Sequence, residues 1–222
     1  MPGRSVLLVT NQIYHVFNRG IDRRITFTTK REFSRAMDAV TFYRFEKLPV
    51  RLSQLLSFHI DRKNEILDKL VDSEKIVQIF CCCLMPNHFH FLLRQQKDNG
   101  ISKYLSNLQN SYTRYFNTRH ERDGSLFMDQ FKAVRIETDE QLLHVSRYIH
   151  LNPYTSYVVK SLQELESYRW SSFSDYLSDK KGFVDKDFIL EFFKNKEQYK
   201  KFVFDQADYQ RDLHEIKHLT FE

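Results

Sequence analysis

Val77-Gln-Ile-Phe-Cys-Cys-Cys-Leu-Met-Pro-Asn-His-Phe-His-Phe-Leu-Leu-Arg94 holds two strands and the turn between them. Val77 to Leu84 is a nearly continuous apolar run, fit for a strand buried on both faces. Met85-Pro-Asn87 turns the chain, since Pro86 has no N–H to give a ladder. His88 to Arg94 then alternates as a second strand. Residues two apart on a strand point to one face, so His88 and His90 share a face while Phe89 points into the core.

Upstream, Tyr14-His-Val-Phe-Asn-Arg19 alternates and is β-rich, and Gly20 ends it. Lys30 to Phe45 reads as a helix, with Phe33, Ala36, Met37 and Val40 at helical spacing. Leu52 to Leu70 is a second helical piece of mixed charge, an insertion or extension of the first crossover. Downstream, Ser102 to Thr118 carries Leu105, Leu108, Tyr112 and Phe116 on one side of a helix. Asp123-Gly124 closes a turn, and Phe131 to Ile136 reads as a fourth strand. Thr138 opens a helix with Gln141 at capping-box spacing. It is expected to run to about Asn152, where Pro153 discourages continuation.

The order β-α-β-β-α-β followed by a helix predicts an α+β protein: a ferredoxin-like antiparallel sheet with helices on one side and a C-terminal helical extension. No Gly/Ser linker breaks residues 1–178, which read as one unit. Residues 179–222 read as the extension, with amphipathic helices over Lys186 to Lys194 and Glu197 to His218. They would form a brace or a partner surface, the brace being favoured.

The 222 residues are 41% hydrophobic, enough for a core, and include 20 Phe and 12 Tyr. Aromatics on this scale are mainly core, although unpaired bases also stack on such rings. A net charge of +5 is compatible with a polyanionic partner without establishing one. No apolar stretch approaches the length of a membrane span, and Val6 to Val9 is too brief for a secretion signal. Cys81, Cys82 and Cys83 are adjacent and odd in number, which argues against a disulfide framework. Alternating faces, they cannot chelate one ion together and read as core. A soluble cytoplasmic protein with no membrane partner is expected.

Two constellations carry candidate chemistry. His88-Phe-His90 could converge on an ion or be a pair of surface histidines. Leu84-Met-Pro-Asn87 before it and Phe91-Leu-Leu93 after it place both imidazoles at the start of a strand after a turn. In Arg147-Tyr-Ile-His-Leu-Asn-Pro153, helical spacing sets Leu142, Val145 and Ile149 on one face toward the sheet. Gln141, His144, Tyr148 and Asn152 form the neighbouring stripe. On this pattern alone the better reading of Tyr148 is an amphipathic tyrosine at the edge of a core. His15, His120, His144 and His150 read as structural or surface groups, with His144 the reserve candidate.

Tyr14-His-Val-Phe-Asn-Arg-Gly20, Leu84-Met-Pro-Asn-His-Phe-His90, Tyr115-Phe-Asn-Thr-Arg-His120, Gly124-Ser-Leu-Phe127, Arg147-Tyr-Ile-His-Leu-Asn-Pro153 and Trp170-Ser-Ser172 occur in one order. Together they resemble the IS200-like transposases of the HUH endonuclease class, in their REP-associated tyrosine transposase branch, over residues 10 to 178. The resemblance implies that His88 and His90 hold a divalent metal and that Tyr148 is the nucleophile. It implies that Asn152 completes the metal shell, with Mg²⁺ or Mn²⁺ as the ion. It further implies cleavage and rejoining of single-stranded DNA through a 5′-phosphotyrosine, recognition of single-stranded or hairpin DNA, and allows a homodimer. A domesticated relative that grips hairpins without cutting them is the alternative.

Basic residues should track the DNA backbone: Arg19 and Arg23 after the first strand, Arg114 and Arg119 on the second helix, Lys132 and Arg135 on the fourth strand, and Arg147 beside Tyr148. Asp129-Gln130-Phe131 and Tyr154-Thr-Ser-Tyr157 depart from the basic residues that relatives often carry there, which bears on phosphate affinity.

Overall fold

A computed structural model of the chain describes residues 6–212. Its centre is a four-stranded antiparallel sheet of β1 (Ile13–Arg19), β2 (Val77–Met85), β3 (His88–Gln95) and β4 (Lys132–Ile136), in the order β2-β3-β1-β4. This is the ferredoxin-like arrangement. The β2–β3 hairpin turns at Pro86 and Asn87, where the sequence predicts it. Gly20 follows β1 because a Cβ there would sit 2.4 Å from the Arg24 carbonyl oxygen.

The first crossover holds α1 (Lys30–Phe42), α2 (Leu52–Leu55) and α3 (Ile60–Val71), so the expected single piece from Leu52 to Leu70 is two helices. The second holds α4 (Gly100–Arg119). Both α1 and α4 lie on one face of the sheet. Tyr14, Val16, Phe89, Phe91 and Leu93 of the strands join Ala36, Val40, Leu105, Leu108 and Tyr112 of these helices in one buried cluster. Glu32 ties the helices together: it closes the capping box of α1 with Thr29, and His120 Nε2 at the end of α4 lies 2.7 Å from its Oε1.

Helices also cover the second face of the sheet, where the sequence reading placed helices on one side only. There α5 (Asp139–Thr155) buries Leu142, Ile149, Leu151 and Tyr154 with Phe80, Cys81, Cys83 and Leu92 of the sheet. The short helices α6 (Leu162–Glu166), α7 (Phe173–Leu177), α8 (Asp187–Leu190) and α9 (Lys196–Phe204) complete this cluster through Leu165, Tyr176, Ile189 and Tyr199. The helix expected from Lys186 to Lys194 is thus one turn, and the one expected from Glu197 to His218 stops at Phe204. A further helical stretch covers 207–212, and His218 lies outside the described residues.

Thr138 caps α5 as expected, accepting from Gln141 N–H at 3.2 Å. The helix does not stop before Pro153; it runs on to Thr155. Proline this close to a C-terminus removes one backbone bond, while the extra turn buries Tyr154, and packing wins. Residues 170–172 protect the outer edge of β2: Leu84 N–H donates to the Trp170 carbonyl and Ser172 N–H to that of Cys82, at 2.8 and 2.9 Å. The three thiols are free and fully buried, and burial pushes Cys81 up to about 12.

Candidate active site

Two strands and one helix build the site. The pleat turns His88 and His90 to the α5 side of the sheet, while Phe89 and Phe91 face α1 and α4. β1 pairs with β3 so that Arg19 lies opposite His88 and Phe17 opposite His90. His15 is then the diagonal neighbour of His90 on the same face. Its Nε2 lies 3.0 Å from Nδ1 of His90, so Nε2 is the nitrogen His90 can offer a ligand.

Tyr148 arrives from α5. Its ring stands edge-on to His90, with centroids 5.3 Å apart and planes at 87°, and 5.8 Å from the His15 ring. Asn152, one turn later and 4% exposed, sets its Oδ1 3.3 Å from Nε2 of His88. The same side chain hydrogen-bonds the Tyr148 phenol. On the other side of His88, Nδ1 lies 2.6 Å from Asn87 Oδ1. Asn152 therefore links the phenol to the imidazole pair, and Tyr148 stays 39% exposed.

Burial shapes the electrostatics. It lowers His15 to about 4 and, with smaller contributions from His88 and His15, holds His90 well below its ordinary value. Neutral imidazoles carry the lone pairs that bind a cation. Burial raises the Tyr148 phenol, and its bond with Asn152 offsets this only in part. The phenol is a weak nucleophile unless positive charge comes close.

The donor set fits a divalent ion. Adjacent ligands at about 2.1 Å on an octahedral ion are roughly 3 Å apart, close to the 3.3 Å between His88 Nε2 and Asn152 Oδ1. No carboxylate joins them: among the described residues no group of three His, Cys, Asp or Glu could hold an ion. Two imidazoles and one amide oxygen suit Mn²⁺ better than Mg²⁺, which prefers an all-oxygen shell.

The basic candidates separate. Arg19, opposite His88, and Lys132, opposite Phe17, share the site face and are exposed. Arg23 lies in the turn after β1, at φ 56°, where its carbonyl accepts from Asn87 Nδ2 at 3.3 Å. Arg135, opposite Tyr14, falls on the α1/α4 face and donates to Gln12 at 2.9 Å. Arg114 and Arg119 line a groove on that same far face. Arg147 needs correction as a phosphate contact. It is 6% exposed, lies over the Phe202 ring at 4.3 Å, and donates to the Phe202 carbonyl, so it braces α5 against α9.

His15 is the site residue that sequence reasoning passed over. The alternation of β1 carries half of the signal, the shared face with Phe17 and Arg19. The other half is the register with β3. His144, the reserve candidate, is exposed, with Nδ1 2.6 Å from Arg147 Nη2.

Among the described residues no helix is long and apolar enough to cross a membrane. No curated protein matches the chain. A REP-associated tyrosine transposase bound to a REP hairpin has a similar structure, with a TM-score of 0.55 over 83% of this chain and 94% of that one, at 13% identity. At that identity the likeness speaks for the fold. The family described as "Transposase IS200 like" matches residues 51–152. That segment, a little under half of the chain, contains the histidine pair and the α5 tyrosine and asparagine, and over it the chain is similar to the IS200-like transposases.

Proposed function

We propose that the chain cleaves and rejoins single-stranded DNA, with Tyr148 as nucleophile and His88, His90 and Asn152 holding Mg²⁺ or Mn²⁺. The observation that carries this reading is the Tyr148 ring packed edge-on to His90 while Asn152 reaches both the phenol and His88. The cation, when bound, would neutralise the scissile phosphate and favour the phenolate. Asn152 orients the phenol, and His15 holds the His90 ring. Arg19 and Lys132 supply backbone contacts on the same face. Tyr148 Oη forms a bond to phosphorus, and the bond to the 3′ oxygen breaks. That oxygen leaves with a proton as a free 3′-hydroxyl, and the 5′ side stays as phosphotyrosine. Attack by a 3′-hydroxyl on the ester reverses the step and reseals a strand, so the linkage is conserved rather than hydrolysed. The hairpin held by the REP-associated transposase makes hairpin DNA the first substrate to try.

The test is incubation of the full chain with labelled single-stranded or hairpin DNA and Mn²⁺. A covalent protein–DNA adduct that disappears in Tyr148→Phe is expected. DNA binding with no adduct in the unaltered protein would replace this reading by the non-cleaving hairpin binder.

A further inference from the structure

His88 is gripped on its outer side by the residue before it. Its Nδ1 lies 2.6 Å from Oδ1 of Asn87, whose Nδ2 donates to the Arg23 carbonyl at 3.3 Å. A carbonyl oxygen only accepts, so the amide turns its nitrogen to Arg23 and its oxygen to His88. That amide oxygen also only accepts, which puts the proton of the neutral imidazole on Nδ1. The lone pair is then on Nε2, which faces Asn152 Oδ1 at 3.3 Å. Two acceptors so close repel, and a cation bound by both removes the conflict.

The backbone around Asn87 explains how so short a turn holds its amide still. Residues 20–27 wrap the β2–β3 turn. Gly20 N–H donates to the Asn87 carbonyl at 2.8 Å, and the N–H groups of Thr26 and Phe27 donate to that of Pro86 at 2.8 and 2.9 Å. Between these anchors Asp22 and Arg23 both adopt left-handed backbone, with φ of 57° and 56°. Such φ values are uncommon away from glycine, and strain of this kind persists where the surroundings impose it. No side chain of residues 21–23 is buried, so packing does not account for it. The second left-handed residue carries the carbonyl that receives Asn87.

We propose that Asn87 is a positioning residue whose amide oxygen fixes the Nδ1–H tautomer of His88, while the left-handed turn at Asp22 and Arg23 holds that amide in place. The inference rests on the reading of His88 as a metal ligand. It gives each imidazole of the pair an outer partner, Asn87 for His88 and His15 for His90, and leaves both Nε2 atoms for the ion. Outer partners of this sort set the ring orientation and tautomer of metal-binding histidines.

The test uses the full chain freed of metal by chelator, with Mn²⁺ as the probe. Long-range ¹H–¹⁵N spectra of the metal-free protein read the tautomer, the His88 signals being identified by their loss in His88→Gln. His88 should carry its proton on Nδ1; a proton on Nε2 overturns the proposal. Calorimetry without DNA then compares two variants. Asn87→Leu keeps the volume and removes the acceptor, and should weaken Mn²⁺ binding about 10–100-fold while His88 shifts toward the Nε2–H form. Asn87→Asp keeps an acceptor for Nδ1–H but loses the N–H donated to Arg23, and should recover both the tautomer and the affinity. Failure of Asn87→Asp to recover them assigns Asn87 to clamping the turn and overturns the proposal. Affinity recovered without the tautomer is a charge effect and overturns it too. Mn²⁺ affinity of Asn87→Leu within about twofold of the parent overturns this inference and leaves the ligand set standing. Absence of Mn²⁺ binding by the unaltered chain overturns both. Should Asn87→Leu fail to fold, the tautomer of the unaltered chain decides alone.

Discussion

Acidification from pH 7 to pH 5 should cost the fold about 2 kcal/mol through His150 alone. This side chain leaves α5 two residues after Tyr148, on the inward side, and is 0% exposed. Its Nδ1 lies 2.7 Å from the Tyr199 hydroxyl of α9 and its Nε2 2.9 Å from Ser172 Oγ. Ser172 Oγ in turn accepts from Cys82 N–H of β2, so one imidazole pins the tyrosine helix to both neighbours. No anion faces the ring among these partners, and burial lowers it from 6.5 to about 3. The unfolded chain therefore binds the proton first. The stabilisation is complete above pH 6.5 and is lost as pH falls toward 3, with roughly 1.4 kcal/mol for each pH unit well inside that window. Urea denaturation followed by circular dichroism, in chelator so that no ion loads the His88 pair, gives the stability at each pH. His150→Gln should be less stable at pH 7 by about 1–3 kcal/mol, because its partners are left poorly satisfied. Its loss between pH 7 and 5 should be smaller than that of the parent by about 2 kcal/mol. An equal loss in parent and variant would refute the argument that this histidine is buried neutral.

Three further outcomes are expected. Glu32 is buried; burial raises its pKa, but hydrogen bonds from Thr28, His120 and the backbone of Thr28 and Thr29 outweigh that and hold it below its usual 4.5. Its contribution is present above that value and fades as pH falls through the lowered one. Glu32→Ala should cost about 3–5 kcal/mol in denaturation at pH 7 by stranding those donors. Arg19→Ala should reduce the salt slope of DNA binding by about one, whereas Arg147→Ala should leave the slope alone and lower the melting temperature. His15→Phe should weaken Mn²⁺ binding, read by calorimetry without DNA, about 10–100-fold through loss of the contact that orients His90. Unchanged Mn²⁺ affinity would assign His15 to packing only.

What could be read in the chain, and what could not, divides along the range of the interactions. The hairpin from Val77 to Gln95 was legible because a turn proline and period-two alternation are local. So was the face shared by His88 and His90, and the stripe of Tyr148 and Asn152 on α5. The place of His15 depends on the pairing of Phe17 with His90, across more than seventy residues of chain. No pattern within a strand specifies that register. Arg147 misled for a related reason. Its neighbour Tyr148 faces outward, but a step of one residue turns about 100° on a helix, which aims this guanidinium at Phe202 of α9. The extra turn past Pro153 and the edge strap at residues 170–172 are likewise set by partners distant in sequence, Asp208 on the Tyr154 hydroxyl and β2 on Ser172. The chemistry at the phenol follows the same logic. Tyr148 and Asn152 are one helical turn apart and meet by local geometry, yet the proposed cleavage also needs the strand register that holds His88 and His90 beneath them. Shifting β3 by one residue against β1 would reverse its faces, burying both imidazoles under α1 and α4 and leaving Phe89 and Phe91 under Tyr148.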